Sequence, residues 1–201
     1  MVGTYLTIVN TKGDFDIDTS REGQLLIAHP NLDKADYFYK TVVYVYADNV
    51  AGTKGIVVNM PSVLRVCDVC DQRDIYYPDA EERVYQGGPL VPDAVVMLHT
   101  PEWESSNTVA AGPEYAISSD YHMFEKLADS NWPTYWRVFA GIASWAPGQL
   151  EEEISGLRSP RRLNTWLTAT ATDDILFEYE GQSQWEAGLD LVSQEMMDTF
   201  L

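Results

Sequence analysis

A chain of 201 residues with 31 acidic and 13 basic side chains carries a formal net charge of −18. That balance excludes recognition of nucleic acid through its phosphates, which needs clustered Lys and Arg. The length points to one domain over residues 1–201, and 45% hydrophobic residues with twelve Tyr and six Trp supply a real core.

The acid is unevenly spread. Residues 173–201 hold eight carboxylates and no Lys or Arg, and the one basic cluster is Arg158, Arg161 and Arg162. Most such runs are solvated faces. The first ten residues lack the basic and apolar regions of a signal peptide. Apolar runs such as residues 42–47 fall far short of the roughly 20 needed to span a bilayer. Two cysteines three apart make no disulfide framework. A cytoplasmic protein without membrane contact is expected.

In chain order, residues 5–9 read as β-like, followed by an acidic turn region around Asp14, Asp16 and Asp18. Residues 24–28 form a buried strand stopped by His29 and Pro30. Residues 31–40 read as loop or a short helical turn, 41–48 as a β-branched and aromatic strand, 49–52 as a turn, and 55–60 as a third strand. Ser62 then caps a short helix to about Asp71, with Val63, Val66, Cys67 and Cys70 on one apolar stripe. Residues 73–82 are an acidic loop, 84–86 a strand broken by Gly87, Gly88 and Pro89, and 94–99 another buried strand. Residues 103–113 are loop and 114–117 a short strand. Ser118 or Ser119 caps a helix to about Asp129. Residues 135–142 are a strand, 165–171 another, 173–177 a helical turn, and 182–193 the last helix, with Trp185, Leu189 and Val192 facing inward.

The most organised stretch follows the strand at 135–142. The apolar run Val138 to Ile142 feeds a tight small-residue turn, and a helix opens on Pro147 or Gly148. Glu151, Glu152 and Glu153 fall near its first turn, where carboxylates match the macrodipole. Leu150, Ile154 and Leu157 give its buried stripe. Strands and helices are interspersed without βαβ regularity. That favours a single α+β domain on a mixed sheet.

Several motifs invite chemical readings. Cys67 and Cys70 have redox or zinc spacing, but a metal needs two more ligands that the sequence does not supply, so core thiols are expected. Gly52-Thr53-Lys54-Gly55 has the wrong order for a phosphate loop and reads as hairpin glycines. Gly87 and Gly88 read as a structural turn, with an anion nest as the alternative. The glutamates after Gly148 discourage an anion at the helix start. His99 ends a buried strand and is expected as a hydrogen-bonded core or rim histidine, with a site at the sheet edge as the alternative. Ser144 lacks the Gly-x-Ser-x-Gly setting of a nucleophile elbow. No cofactor and no metal is indicated.

An ordered series of motifs carries a family resemblance. It comprises Gly23-Gln24-Leu25-Leu26-Ile27-Ala28-His29-Pro30, Thr41-Val42-Val43-Tyr44, Gly52-x-x-Gly55-Ile56-Val57-Val58-Asn59-x-Pro61 and Gly87-Gly88-Pro89. Val96-Met97-Leu98-His99, Gly148-Gln149-Leu150-Glu151, Asn164-x-Trp166-Leu167, Leu176-Phe177 and Trp185-x-Ala187 complete it. Over residues 20–195 the chain resembles the AlgH/YqgE family of small bacterial proteins. The resemblance implies an α+β domain with a mixed, strongly curved sheet flanked by helices. It brings a transcriptional-regulator label without a DNA-binding motif, and no agreed catalytic residues. Asn59, Gly87, Gly88, His99, Gly148, Gln149 and Glu151 mark its candidate ligand or partner site. Asp48 stands where the family often has His, Met60 replaces a usual basic residue, and Ser144 stands where Gly is common. Residues 155–163 look like a loop insertion. Divergence and acidity together suit a bacterial or phage copy.

The leading expectation is a regulatory or protein-interaction module without catalysis. The first alternative is a small-molecule binder or enzyme using residues 87–89 together with 148–151. The second is an acidic decoy for a nucleic-acid-binding protein.

Overall fold

A computed structural model describes residues 20–79, 81–157 and 164–199. The sequence expectations at residues 5–9 and at Asp14, Asp16 and Asp18, and the basic cluster Arg158, Arg161 and Arg162, lie outside the described residues.

Among the described residues the strands are β1 (Gln24–Ala28), β2 (Val42–Asn49), β3 (Gly52–Val57), β4 (Pro61–Arg65), β5 (Arg83–Gln86), β6 (Leu90–His99), β7 (Val109–Ala110), β8 (Ala116–Ser118), β9 (Trp136–Trp145) and β10 (Trp166–Thr170). Four α-helices join them: α1 (Val66–Asp71), α2 (Tyr121–Ala128), α3 (Gln149–Ile154) and α4 (Gly181–Thr199), with a π-helical turn at Asp174–Glu178. The main strand order is β10-β1-β2-β3-β9-β6-β8-β7, with β4 and β5 branching from it. Pairing is antiparallel except between β5 and β9, so the sheet is mixed, and it curves strongly into a half-barrel.

β9 organises this curvature. Along one edge it pairs with β6. Its other edge holds β5 at Val138, Phe139 and Ala140, then β3 at Ala143, Ser144 and Trp145. The change of partner falls at Gly141, whose φ of +80° lies in the left-handed region that glycine adopts without strain. Val138 belongs to one core and Phe139 to the other, whereas beyond Gly141 Ala143 and Trp145 both join Phe139. The alternation runs through the glycine, so the strand does not end there. The strand expected to end at Ile142 continues to Trp145, and the chain turns at Pro147 and Gly148.

The two cores lie on opposite faces of β6 and β9. Leu98 and Phe139 point into the larger, with Leu25, Leu26, Ile27, Tyr44, Ile56 and Trp166. Met97 and Val138 point into the smaller, with Val66, Val69, Cys70 and the α2 residues Met123, Phe124 and Leu127. A strand buried on both faces reads as a continuous apolar run. That is why residues 94–99 were recognisable while the exposed start of β6 was not.

Other boundaries moved for identifiable reasons. Residues 61–65 form β4 and α1 starts at Val66, leaving Val63 99% exposed and off any buried stripe. Asp68 and Arg65 make the cap that Ser62 was expected to make, while the Ser62 hydroxyl donates to Val84 O at 2.7 Å. Asp120, not Ser118 or Ser119, caps α2, its carboxylate accepting from Met123 N at 3.0 Å. Gly52 opens β3 and Gly55 lies inside it, so neither is a turn glycine; the turn is Val50 and Ala51. Leu157 lies beyond α3 and is 74% exposed, which removes it from the proposed stripe. α4 runs six residues further than expected, with Trp185 and Val192 buried and Leu189 half-buried.

Candidate functional site

The candidate residues fall into four groups, with Gln149 apart from them. Asn59, the first, is 3% exposed and serves the frame: its Oδ1 accepts from Val42 N at 2.9 Å, and its Nδ2 donates to Lys40 O and Gly181 O, each at 2.9 Å. It ties β2 to the start of α4. Gly87 and Gly88 form the second group and sit where β5 gives way to β3 along β9. Gly87 N donates to Ala140 O and Gly87 O accepts from Val57 N, both at 2.8 Å. A Cβ on Gly88 would lie 2.1 Å from the Ile142 carbonyl carbon. These glycines permit close backbone crossing, and the Gly87 N–H an anion nest would need is already donated to the sheet.

His99 is fully buried. Its Nδ1 lies 2.9 Å from Thr100 O, which can only accept, so Nδ1 carries the proton and Nε2 accepts from the Ser118 hydroxyl at 2.9 Å. Ser118 is 1% exposed, and its Oγ lies 2.6 Å from the Thr108 hydroxyl. The Trp103 ring stands edge-on to the imidazole at 5.0 Å. The arrangement has the bonding of a Ser–His pair but no route for a substrate. Its work is to lock β8 and the Thr108 loop onto β6. Burial pushes the imidazole pKa below its ordinary value.

The fourth group, Gly148 and Glu151, opens to solvent. Where the β2–β3 hairpin meets the end of β9 and the start of α3, a cleft of about 500 Å³ is lined by Arg21, Asp48, Thr53, Gly148, Leu150 and Glu151, among others. Arg21 spans it: Nε and Nη2 reach the two Glu151 oxygens at 3.0 and 3.2 Å, and Nη1 reaches Gln24 Oε1 at 3.3 Å. Asp48 accepts from Arg21 N at 2.8 Å and from the Thr53 hydroxyl at 2.6 Å. Gly148 caps α3 with φ +76°, and a Cβ there would meet no atom within 4 Å. The residues 87–89 do not line this cleft.

Gln149 points elsewhere, accepting from Ala146 N at 3.1 Å and donating to Glu153 Oε1 at 2.9 Å. Glu153 Oε2 in turn accepts both indole N–H groups of Trp145 and Trp166, at 3.0 and 2.9 Å. The three glutamates therefore have separate settings: Glu151 closes the cleft, Glu152 sits exposed in the first turn, and Glu153 fastens two core tryptophans. Glu151 and Glu152 lie in the first turn as expected, and the reading as macrodipole caps is corrected for Glu153 alone. Cys70 is buried and its thiol is pushed up to about 11 by burial, while Cys67 is half-buried and packs against the same smaller core. No group of three or more metal-ligating side chains occurs among the described residues.

The AlgH-like family model matches residues 25–197. The chain belongs to the AlgH-like family. It is 36% identical over 168 residues to a UPF0301 protein of Thioalkalivibrio sulfidiphilus, covering 82% of this chain and 85% of that one. The solution structure of the AlgH protein from Pseudomonas aeruginosa matches with a TM-score of 0.71 at 30% identity, over 87% of this chain and 89% of the other. A crystal structure of a Corynebacterium diphtheriae protein, at 23% identity and a TM-score of 0.63, shares the fold over 82% of this chain and 83% of that one.

Sequence reading missed Arg21, Thr53 and Ser118, because single polar residues in loops and strands carry no periodic signal. Asp48 had a usable one, since it departs from the family pattern and proves to line the cleft. Among the described residues no helix is long and apolar enough to cross a membrane.

Proposed function

We propose that this AlgH-like protein is a non-catalytic regulatory module that works by binding a partner protein through the Arg21–Glu151 cleft. The observation that carries the reading is a division of labour. The Ser118–His99 pair and Cys70 are sealed in the cores, while in the open cleft Arg21 is already paired with Glu151. With Arg21 paired to Glu151 and the Asp48 carboxylate held only by the Arg21 N–H and the Thr53 hydroxyl, the cleft suits a projecting loop that brings hydrogen-bond donors to Asp48. Two free cysteines support a cytoplasmic setting.

A photo-crosslinking residue at Asn49, on the cleft wall, tests this. The expected result is one discrete protein adduct that is lost in a Glu151→Arg variant and absent when the crosslinker is moved to Val63. Adducts of equal yield from both positions refute the reading. The cleft volume also falls within the range of about 300–1,000 Å³ for small-molecule sites, which favours ligand binding beside Gly148 as the second reading. In that case a metabolite mixture would shift amide signals of Gly148 and Leu150 with no protein partner present.

A further inference from the structure

The sequence of α4 divides cleanly. Gln184, Trp185, Gly188 and Val192 are buried in the core, while beside the π-helical turn Ala187 and Leu191, half-buried against that core, stand at helical spacing with the exposed Asp190 and Gln194. That turn is anchored from beneath. Gln184 Nε2 donates to Ile175 O at 2.6 Å, and the buried Arg137 donates through Nη2 to Phe177 O and Tyr179 O at 3.0 and 3.3 Å. Its inner carbonyls are thereby satisfied and its position beside α4 is fixed.

Between the turn and the helix lies a groove of about 240 Å³. Ile175, Tyr179, Ala187 and Leu191 make its apolar lining, with Asp174 and Asp190 contributed from its two sides. Tyr179 is 40% exposed, and α4 goes on to Met196 and Met197, which are 58% and 60% exposed. The groove shares no lining residue with the Arg21–Glu151 cleft.

Charge decides what can sit there. Residues 173–201 hold eight carboxylates and no Lys or Arg, and Asp190 has no ion-pair or hydrogen-bond partner among the described residues. A second copy of this chain brings a further −18. Nucleic acid and anionic membrane are repelled by the same carboxylates. A cationic segment gains Coulomb attraction, and a one-sided apolar stripe on it fills the groove. We propose that this groove docks a basic amphipathic helix of a partner protein, apolar side chains against Ala187 and Leu191 and Lys or Arg beside Asp174 and Asp190.

The test uses the full chain and two synthetic peptides of about 18 residues, long enough for five helical turns. One carries Leu on a single helical face with Lys elsewhere, and the other has the same composition scrambled. Calorimetry at low and moderate salt, with amide shift mapping, gives the readout. The amphipathic peptide is expected to bind about tenfold tighter than the scramble, and to move the Ala187 and Leu191 signals. Asp190→Asn, at an exposed and unpartnered position, is expected to weaken binding about threefold with no change in melting temperature. Ala187→Arg, which fills the seat with a cation, should abolish it. Equal affinity for both peptides, shifts confined to other surfaces, or an unchanged affinity in Asp190→Asn would each overturn the proposal.

Discussion

Replacing Glu153 by Ala removes one carboxylate and orphans two indoles. Trp145 and Trp166 are 3% and 1% exposed, and both donate their N–H to Glu153 Oε2, at 3.0 and 2.9 Å. A buried donor left without an acceptor costs about 1–3 kcal/mol. Two such donors give about 2–6 kcal/mol, and the lost bond from Gln149 adds little because that amide can reach water. The expected destabilisation is about 4 kcal/mol, a large share of a typical total of about 5–15 kcal/mol. Glu153→Gln keeps one acceptor oxygen for the indoles but turns an amide toward the Gln149 amide, so about 1–2 kcal/mol is expected. The assay is urea denaturation followed by tryptophan fluorescence, reading the midpoint shift at constant m-value. The reasoning fails if Glu153→Ala lowers stability by less than about 1 kcal/mol, because the indoles would then have another acceptor or reach solvent.

Three further outcomes follow from the same geometry. The His99 pKa lies below its ordinary value because burial disfavours the cation. The unfolded chain therefore takes up a proton near pH 6.5 that the fold refuses, and stability falls as pH drops below that point, by at most about 1.4 kcal/mol per unit for this group. His99→Gln, which retains a donor for Thr100 O and an acceptor for Ser118, should flatten that slope in melts at pH 7 and pH 5.5; an unaltered slope would show that other groups cause it. Gly88→Ala, which would press a Cβ to 2.1 Å from the Ile142 carbonyl carbon, should cost about 3 kcal/mol in the same denaturation assay; a loss below about 1 kcal/mol would mean the crossing is loose. In a thiol titration of the native protein, Cys67 should react and Cys70, held at about 11 by burial, should wait for denaturant; two fast thiols would contradict the packing of α1.

The fold class was legible because it rests on local pattern. Residues 25–28 and 94–98 announce buried strands by unbroken apolar runs, and the recurrence of motifs from Gly23 to Ala187 places the chain in its family. The candidate site was legible only in part. Gly148 and Glu151 do line the cleft, whereas Asn59, Gly87, Gly88 and His99 are held in the framework. A glycine that lets two backbones cross and a glycine that makes room for a ligand have the same letter. The strand expected to end at Ile142 runs on to Trp145, because its partner changes from β5 to β3 on either side of Gly141.

By itself, then, the sequence determined the family, the α+β class, the negative charge and where apolar segments must be buried, since these depend on composition and on spacing along the chain. Tertiary structure alone decided which carboxylate does what. Glu151, Glu152 and Glu153 are neighbours in sequence, yet one pairs with Arg21 across 130 positions of chain, one faces solvent, and one holds Trp145 and Trp166 together. The helix turns each by about 100° from the last, so three adjacent side chains face three different environments, and those environments are assembled by parts of the chain far away in sequence.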